Sequence, residues 1–279
     1  MQTLLLPYHD DAFCDAALAA ACLTAQRFNG HVEALYVREV PQIIVSEIIP
    51  AAYVTQINDQ TGRSAETARA HFARGLEPFK LRMAELDGPA NAATAGWREA
   101  TGRESEIVGD HGRLFDLIVV ARSDRPNAAG WRETAEAALF DSGRPVLVAA
   151  AAAPSVLGEN IVVAWNCSTE TARTVAFGMP FLKQAKKVLV LTVEGGTVPG
   201  PSGEEVAQHL RRNGVPATAR TAPASGRSIG QAMLAEAMAA GADLMFKGAY
   251  TQSRLRQMIF GGATDHILTA AMLPVFFTH

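Results

Sequence analysis

Short continuous apolar runs recur along the chain, and most are followed by a stretch whose apolar positions repeat at helical spacing. Runs of this kind mark strands of a parallel sheet that is covered on both faces. They fall near 3–8, 32–37, 93–98, 116–121 and 145–150, and again near 160–165, 187–193, 216–221, 243–248 and 274–278. Helical stretches alternate with them at 11–28, 63–86, 103–113, 131–142, 168–184, 202–213, 226–240 and 263–272. Strict alternation of strand and helix predicts βαβ units and a doubly wound α/β fold.

The pattern occurs twice. DLIVVARSD at 116–124 matches DLMFKGAYT at 243–251, and GRPVLVAA at 143–150 matches MLPVFFTH at 272–279. TLLLPYHDDA matches NIVVAWNCST at 160–169, and HVEALYVRE at 31–39 matches KVLVLTVEG at 187–195. All four pairs keep the same order, so the expectation is two tandem doubly wound five-stranded parallel sheets. The first domain is assigned to 1–153 and the second to 159–279. The alanine run at 149–153 followed by Pro154 to Gly158 reads as a linker, with a helix start as the alternative. Asp11 and Ser168 are candidate N-caps, Gly30 a candidate helix end, and Pro180 predicts a kink or an early stop.

The copies differ in length. The first carries about 29 extra residues, which map to 38–66 and include PQIIVSEIIPAAYVTQI. A segment this apolar is expected to pack as a short helix or flap over a pocket or on a partner. A surface excursion that covers exposed core is the plainer alternative.

Composition narrows the function. The 279 residues are 48% hydrophobic and 19% charged, with a net charge of −3, so no basic excess is present for a phosphate backbone and a nucleic-acid partner is disfavoured. Three cysteines, Cys14, Cys22 and Cys167, make neither a disulfide framework nor a four-thiolate site. Cys14 and Cys22 read as buried small apolar residues. Cys167, beside the candidate site, is either structural or redox-sensing. The start MQTLLLPYHDD lacks a basic region ahead of its apolar run, and no stretch of about 18 apolar residues occurs, so a cytoplasmic protein without a membrane span is expected. Walker, GxGxxG and GxSxG motifs are absent, and the seven histidines show no HxxxH. No catalytic triad or metal set emerges.

In a doubly wound sheet a ligand binds beyond the carboxyl ends of the strands, where the strand order reverses. There the second copy carries KGAYTQSRLRQMIFGGATDH at 247–266. Gly248 follows a strand, and Gly261 and Gly262 precede Ala263, Thr264 and a helix. Glycines let backbone N–H groups approach phosphate oxygens, and a helix start adds donors and partial positive charge.

The order of elements, this loop and the closing PVFFTH resemble the universal stress proteins of the UspA type in tandem form, with the adenine nucleotide alpha hydrolase-like fold. The family motif is G-x-x-G, nine residues, then G-(S/T). Here Gly248, two residues, Thr251, nine residues and Gly261 keep the spacing, while Thr251 replaces the second glycine and Gly262 the Ser/Thr. The resemblance implies pairing of the two domains through their final strands and ATP or a related adenine nucleotide as ligand of the second. It implies Ala164, Trp165 and Asn166 on the adenine and ribose side, Val193 at the base, and Lys247, Gly248, Tyr250, Gly261, Gly262, Ala263 and Thr264 for the rest. Asn166 stands where ATP-binding members usually carry Asp, and so lacks the charge that would favour Mg²⁺. Trp165 either stacks on a base or fills the pocket.

In the first copy the loop at 121–140 lacks the leading glycine and the glycine pair, and His9 occupies the Asp position. Arg122 and Arg125 there are either anion ligands or solvated loop residues, and this copy reads as a structural or regulatory half. The leading expectation is a non-enzymatic stress-response protein, with homodimerisation open. A nucleotide-free scaffold and a weak nucleotide hydrolase are the alternatives.

Overall fold

The structure is a computed structural model describing residues 1–9, 12–38, 51–85, 88, 91–122, 129–249 and 262–279, without the side chains of 12, 51–61 and 129. Asp11 and Arg125, and most of the 38–66 insertion ahead of residue 51, lie outside the described residues.

The first half runs β1 (Thr3–Pro7), α1 (Ala12–Phe28), β2 (His31–Arg38), α2 (Ala51–Leu76), β3 (Arg82–Met83), β4 (Thr94–Thr101), α3 (Glu104–His111), β5 (Leu117–Val120), α4 (Ala129–Asp141) and β6 (Val146–Val148). The second half runs β7 (Asn160–Ala164), α5 (Thr169–Gln184), β8 (Lys187–Val193), α6 (Gly203–Arg212), β9 (Ala217–Ala222), α7 (Ile229–Ala239), β10 (Leu244–Gly248), α8 (Ala263–Ala270) and β11 (Val275–Thr278).

The strands lie in the order β3-β4-β2-β1-β5-β6-β11-β10-β7-β8-β9. Each half therefore repeats one spatial order, and the order reverses between β1 and β5 and between β7 and β10. The two expected five-stranded sheets merge into one. β6 and β11 pair antiparallel, with Val148 opposite Val275, Leu147 opposite Phe276 and Val146 opposite Phe277, while every other pairing is parallel. The first half also gains β3, a two-residue strand along β4 that the apolar pattern did not announce.

Successive strand residues point to opposite faces. Leu4 and Leu6 enter a core with α1, α2, α5 and α6, and Leu5 enters the other with α3, α4, α7 and α8. Full burial of each such leucine contributes about 1.5–3 kcal/mol, which explains why these strands are continuous apolar runs.

The repeated Asp-Leu at the start of β5 and of β10 has a common role. Asp116 accepts hydrogen bonds from the N–H groups of Gln2 (2.6 Å) and Thr3 (3.2 Å). Asp243 accepts from Gly158 (2.6 Å), Glu159 (3.0 Å) and Asn160 (2.9 Å). In both halves this carboxylate satisfies the N–H groups at the entry to the first strand.

Ser168 caps α5, its hydroxyl accepting from the N–H of Thr171. α1 ends at Asn29, which takes the left-handed conformation (φ 51°), rather than at Gly30. Gly30 is instead pressed against the chain start, where a Cβ would lie 3.0 Å from the Gln2 carbonyl oxygen. α5 continues past Pro180 to Gln184, so the expected early stop does not occur. α2 begins at Ala51, which makes the second part of the insertion an extension of that helix. Residues 149–159 form neither helix nor strand, so the alternative of a helix start there does not occur.

An arginine of the first half reaches across this junction. Arg27 donates through Nη1 to the Leu157 carbonyl (3.0 Å) and through Nη2 to the carbonyls of Gly158 (3.0 Å) and Gln184 (2.6 Å). Beside it Phe28 packs edge-on to Phe181, with ring centroids 4.9 Å apart.

Candidate functional site

The reversal of strand order between β7 and β10 brings Trp165–Asn166 and Gly248–Ala249 to one edge of the sheet. Two helices start there. The N-terminus of α5 lies over the end of β10 so closely that a Cβ on Gly248 would stand 2.6 Å from the Thr171 nitrogen. Thr278 locks this contact, since its hydroxyl donates to the Glu170 carbonyl (2.9 Å) and lies 2.8 Å from that of Thr174. On the other face of the sheet α8 begins at Ala263, behind Gly262, with no side-chain cap on its first turn.

Lys247 lies between these features and is only 3% exposed. Its Nζ donates to the Gly248 carbonyl (2.6 Å) and faces the Thr264 hydroxyl at 3.5 Å. No carboxylate among the described residues forms an ion pair with it. Burial pulls the ammonium down to about 8, and the charge of Glu170 acts in the opposite direction. The group is still mostly protonated near neutral pH. A buried cation beside the open first turn of a helix concentrates positive potential, and helix starts favour anions for the same reason. Glu170 is the nearby opposing charge. Burial raises its pKa, but hydrogen bonds from its own N–H, Ser168 and Thr169, with the charge of Arg173, bring it below the usual carboxylate range.

The site residues read from the sequence separate into two groups. Lys247, Gly248, Gly262, Ala263 and Thr264 are gathered around the end of β10 and the start of α8. Tyr250, Thr251 and Gly261 lie outside the described residues. The proposed base-side residues are not gathered. Trp165 packs in the core on the α5–α6 face and its Nε1 donates to the Pro201 carbonyl (2.8 Å), whereas Ala164 and Val193 are buried in the core on the opposite face. Asn166 is turned toward the chain, its Oδ1 accepting from the Thr171 hydroxyl (2.6 Å) and from the Ser168 N–H (3.3 Å). Its carbonyl accepts from the Val198 N–H (3.0 Å), which draws the segment after β8 over the end of β7. Gly200 abuts Cys167, a half-buried residue held at φ 67°.

The same edge of the first half is built differently. His9 pairs with Glu104 (Nε2 to Oε2, 2.6 Å), and the other oxygen of Glu104 accepts from the Thr134 hydroxyl (2.7 Å). Tyr8, at the position of Trp165, is fully buried, with its hydroxyl 3.1 Å from His71 Nδ1. Among the described residues no group of three His, Cys, Asp or Glu could hold a metal ion, and no helix is long and apolar enough to cross a membrane.

The sequence did not reveal what Arg122 and Arg132 do. Arg122, expected to be an anion ligand or solvated, is 4% exposed, and its Nη1 donates to the Ala271 carbonyl at the C-cap of α8 (2.6 Å). Arg132 of α4 pairs with Asp265 in the first turn of α8 at 2.8 Å.

Among solved structures, a universal stress protein from Archaeoglobus fulgidus DSM 4304 matches with a TM-score of 0.69 at 15% identity, over 99% of this chain and 97% of its own. The chain has the universal stress protein fold. A protein assigned to the same class from Pseudomonas aeruginosa UCBPP-PA14 gives a TM-score of 0.52 at 15% identity, over 100% of this chain and 93% of its own. A functionally unknown protein from Pseudomonas aeruginosa PAO1 gives 0.51 at 14%, over 100% and 92%. No family model and no curated protein matches the sequence. In the universal stress protein fold the crevice at the strand-order reversal is the place where the doubly wound architecture puts a ligand, and it is here that Lys247 and the start of α8 meet.

Proposed function

We propose that the protein is a non-enzymatic stress-response protein of the universal stress type, and that its second half binds ATP or a related adenine nucleotide through the phosphates. One observation carries the reading. Lys247 is a buried ammonium held, among the described residues, by neutral oxygens, and it faces the uncapped first turn of α8. A phosphate oxygen would supply the missing anion, and the N–H groups behind Gly262 would supply donors. Thr264 would add its hydroxyl. The loop spacing from Gly248 to Gly261 supports the same ligand class.

A second reading is favoured by Trp165 and Asn166. The indole fills core space and the amide is spent on the α5 cap, so the base side is occupied by the chain itself. On this reading the fold serves as a nucleotide-free interaction module.

The two readings separate in one experiment. The purified protein is denatured, released nucleotide is assayed, and ATP is then titrated into fresh protein by calorimetry. Released or titratable nucleotide without phosphate production supports the first reading. Absence of both at millimolar ATP rejects it in favour of the second.

A further inference from the structure

The helix that would receive the phosphates is held at both ends by the other half of the chain. Arg122, at the end of β5, reaches the C-cap carbonyl of α8 at Ala271. Arg132, in α4, reaches Asp265 in its first turn. The two arginines flank the first half's counterpart of the glycine loop. That segment lacks the glycine pair, and the arginines that flank it grip the helix of the other copy.

The pair at the N-terminal end has a consequence for an anion. Asp265 follows Thr264 directly, so its carboxylate sits in the same first turn whose N–H groups would meet a phosphate. A carboxylate there complements the helix dipole but repels a second anion. Arg132 cancels that repulsion. Its side chain and that of Asp265 are 42% and 40% exposed, and a pair so open to water contributes little to stability. The hydrogen bond to Asp265 uses one of the guanidinium's five donors. A charge placed here acts chiefly on what binds nearby.

We propose that the anion site of the second half is completed by the first. Arg132 acts as a positioning residue that neutralises Asp265, and Arg122 anchors the far end of α8, so binding in one half depends on the docking of the other. This rests on the phosphate-binding reading above.

The test uses the full chain, with ATP as probe, titrated at fixed ionic strength into the wild type, Arg132→Ala, Asp265→Asn and the double variant. Arg132→Ala should weaken binding about fivefold, the size expected for one uncompensated, partly exposed carboxylate near the anion. The double variant should return to within about twofold of the wild type. Urea midpoints report whether Arg132→Ala stays folded, and at this exposure they should scarcely move. Wild-type affinity in Arg132→Ala, or no recovery in the double variant, overturns the proposal while leaving the phosphate site standing. A wild type that binds neither ATP nor inorganic tripolyphosphate overturns the phosphate site itself, and this proposal with it.

Discussion

A Cβ on Gly248 would stand 2.6 Å from the backbone nitrogen of Thr171 and 2.7 Å from its hydroxyl. The glycine that opens the GxxT spacing is therefore needed for the approach of α5 to the sheet, whatever binds nearby. Gly248→Ala should push α5 off the end of β10 and destabilise the protein by about 1–3 kcal/mol, the usual cost of overpacking. Urea denaturation would show this as a lowered midpoint with an unchanged slope. An unchanged midpoint would mean that α5 gives way freely.

Lys247 predicts an unusual dependence of stability on pH. Its ammonium titrates at about 8 in the fold against 10.5 when free. Between those values the unfolded chain binds more protons than the folded one, so this group makes stability rise with pH over that window. Below about pH 8 its burial costs the fold about 3 kcal/mol, and above 10.5 the cost is gone. Lys247→Met should remove that dependence and raise stability at neutral pH. The difference between wild-type and variant midpoints from pH 7 to 10 checks it, and a difference that does not change across the window would contradict the buried-cation account.

The halves are joined by more than the β6–β11 ladder. Arg27 satisfies three carbonyl oxygens of the second half, at Leu157, Gly158 and Gln184. Arg27→Ala leaves them to water and should cost about 1.5–3 kcal/mol, the range for hydrogen bonds from a charged donor. Thermal unfolding measures the loss. Splitting of one transition into two would show in addition that the guanidinium couples the halves.

Arg122→Ala should cost a similar amount, since it removes a buried charge-assisted bond to Ala271. The change should be larger than that from Arg132→Ala, whose pair is exposed. Parallel urea titrations of the two variants give the ordering, and a reversed order would refute the assignment of their environments.

The sheet was legible because both of its faces are covered. Apolar runs such as 117–120 and 244–246 read as buried strands, and the repeated Asp-Leu set the register of the two copies. β3 was not legible because Arg82 and Met83 are two exposed residues with no apolar period. The site was half legible. Lys247 and Gly248 follow directly from the end of a strand, but the end of a strand does not say which face a side chain takes. Trp165, which the sequence left as either stacking on a base or filling the pocket, packs into the core, where its N–H donates to the Pro201 carbonyl. The contacts of Arg122 and Arg132 join residues 149 and 133 positions apart, and no local pattern encodes such a separation.

The most direct test of the account is ATP titration by calorimetry into the wild type and Lys247→Met, both shown to be folded by circular dichroism. The account predicts binding by the wild type at or below millimolar ATP and a loss of about tenfold or more in the variant, because a buried cation facing the phosphates is gone. Equal affinity in the two proteins, or no binding by the wild type at millimolar ATP, would contradict it.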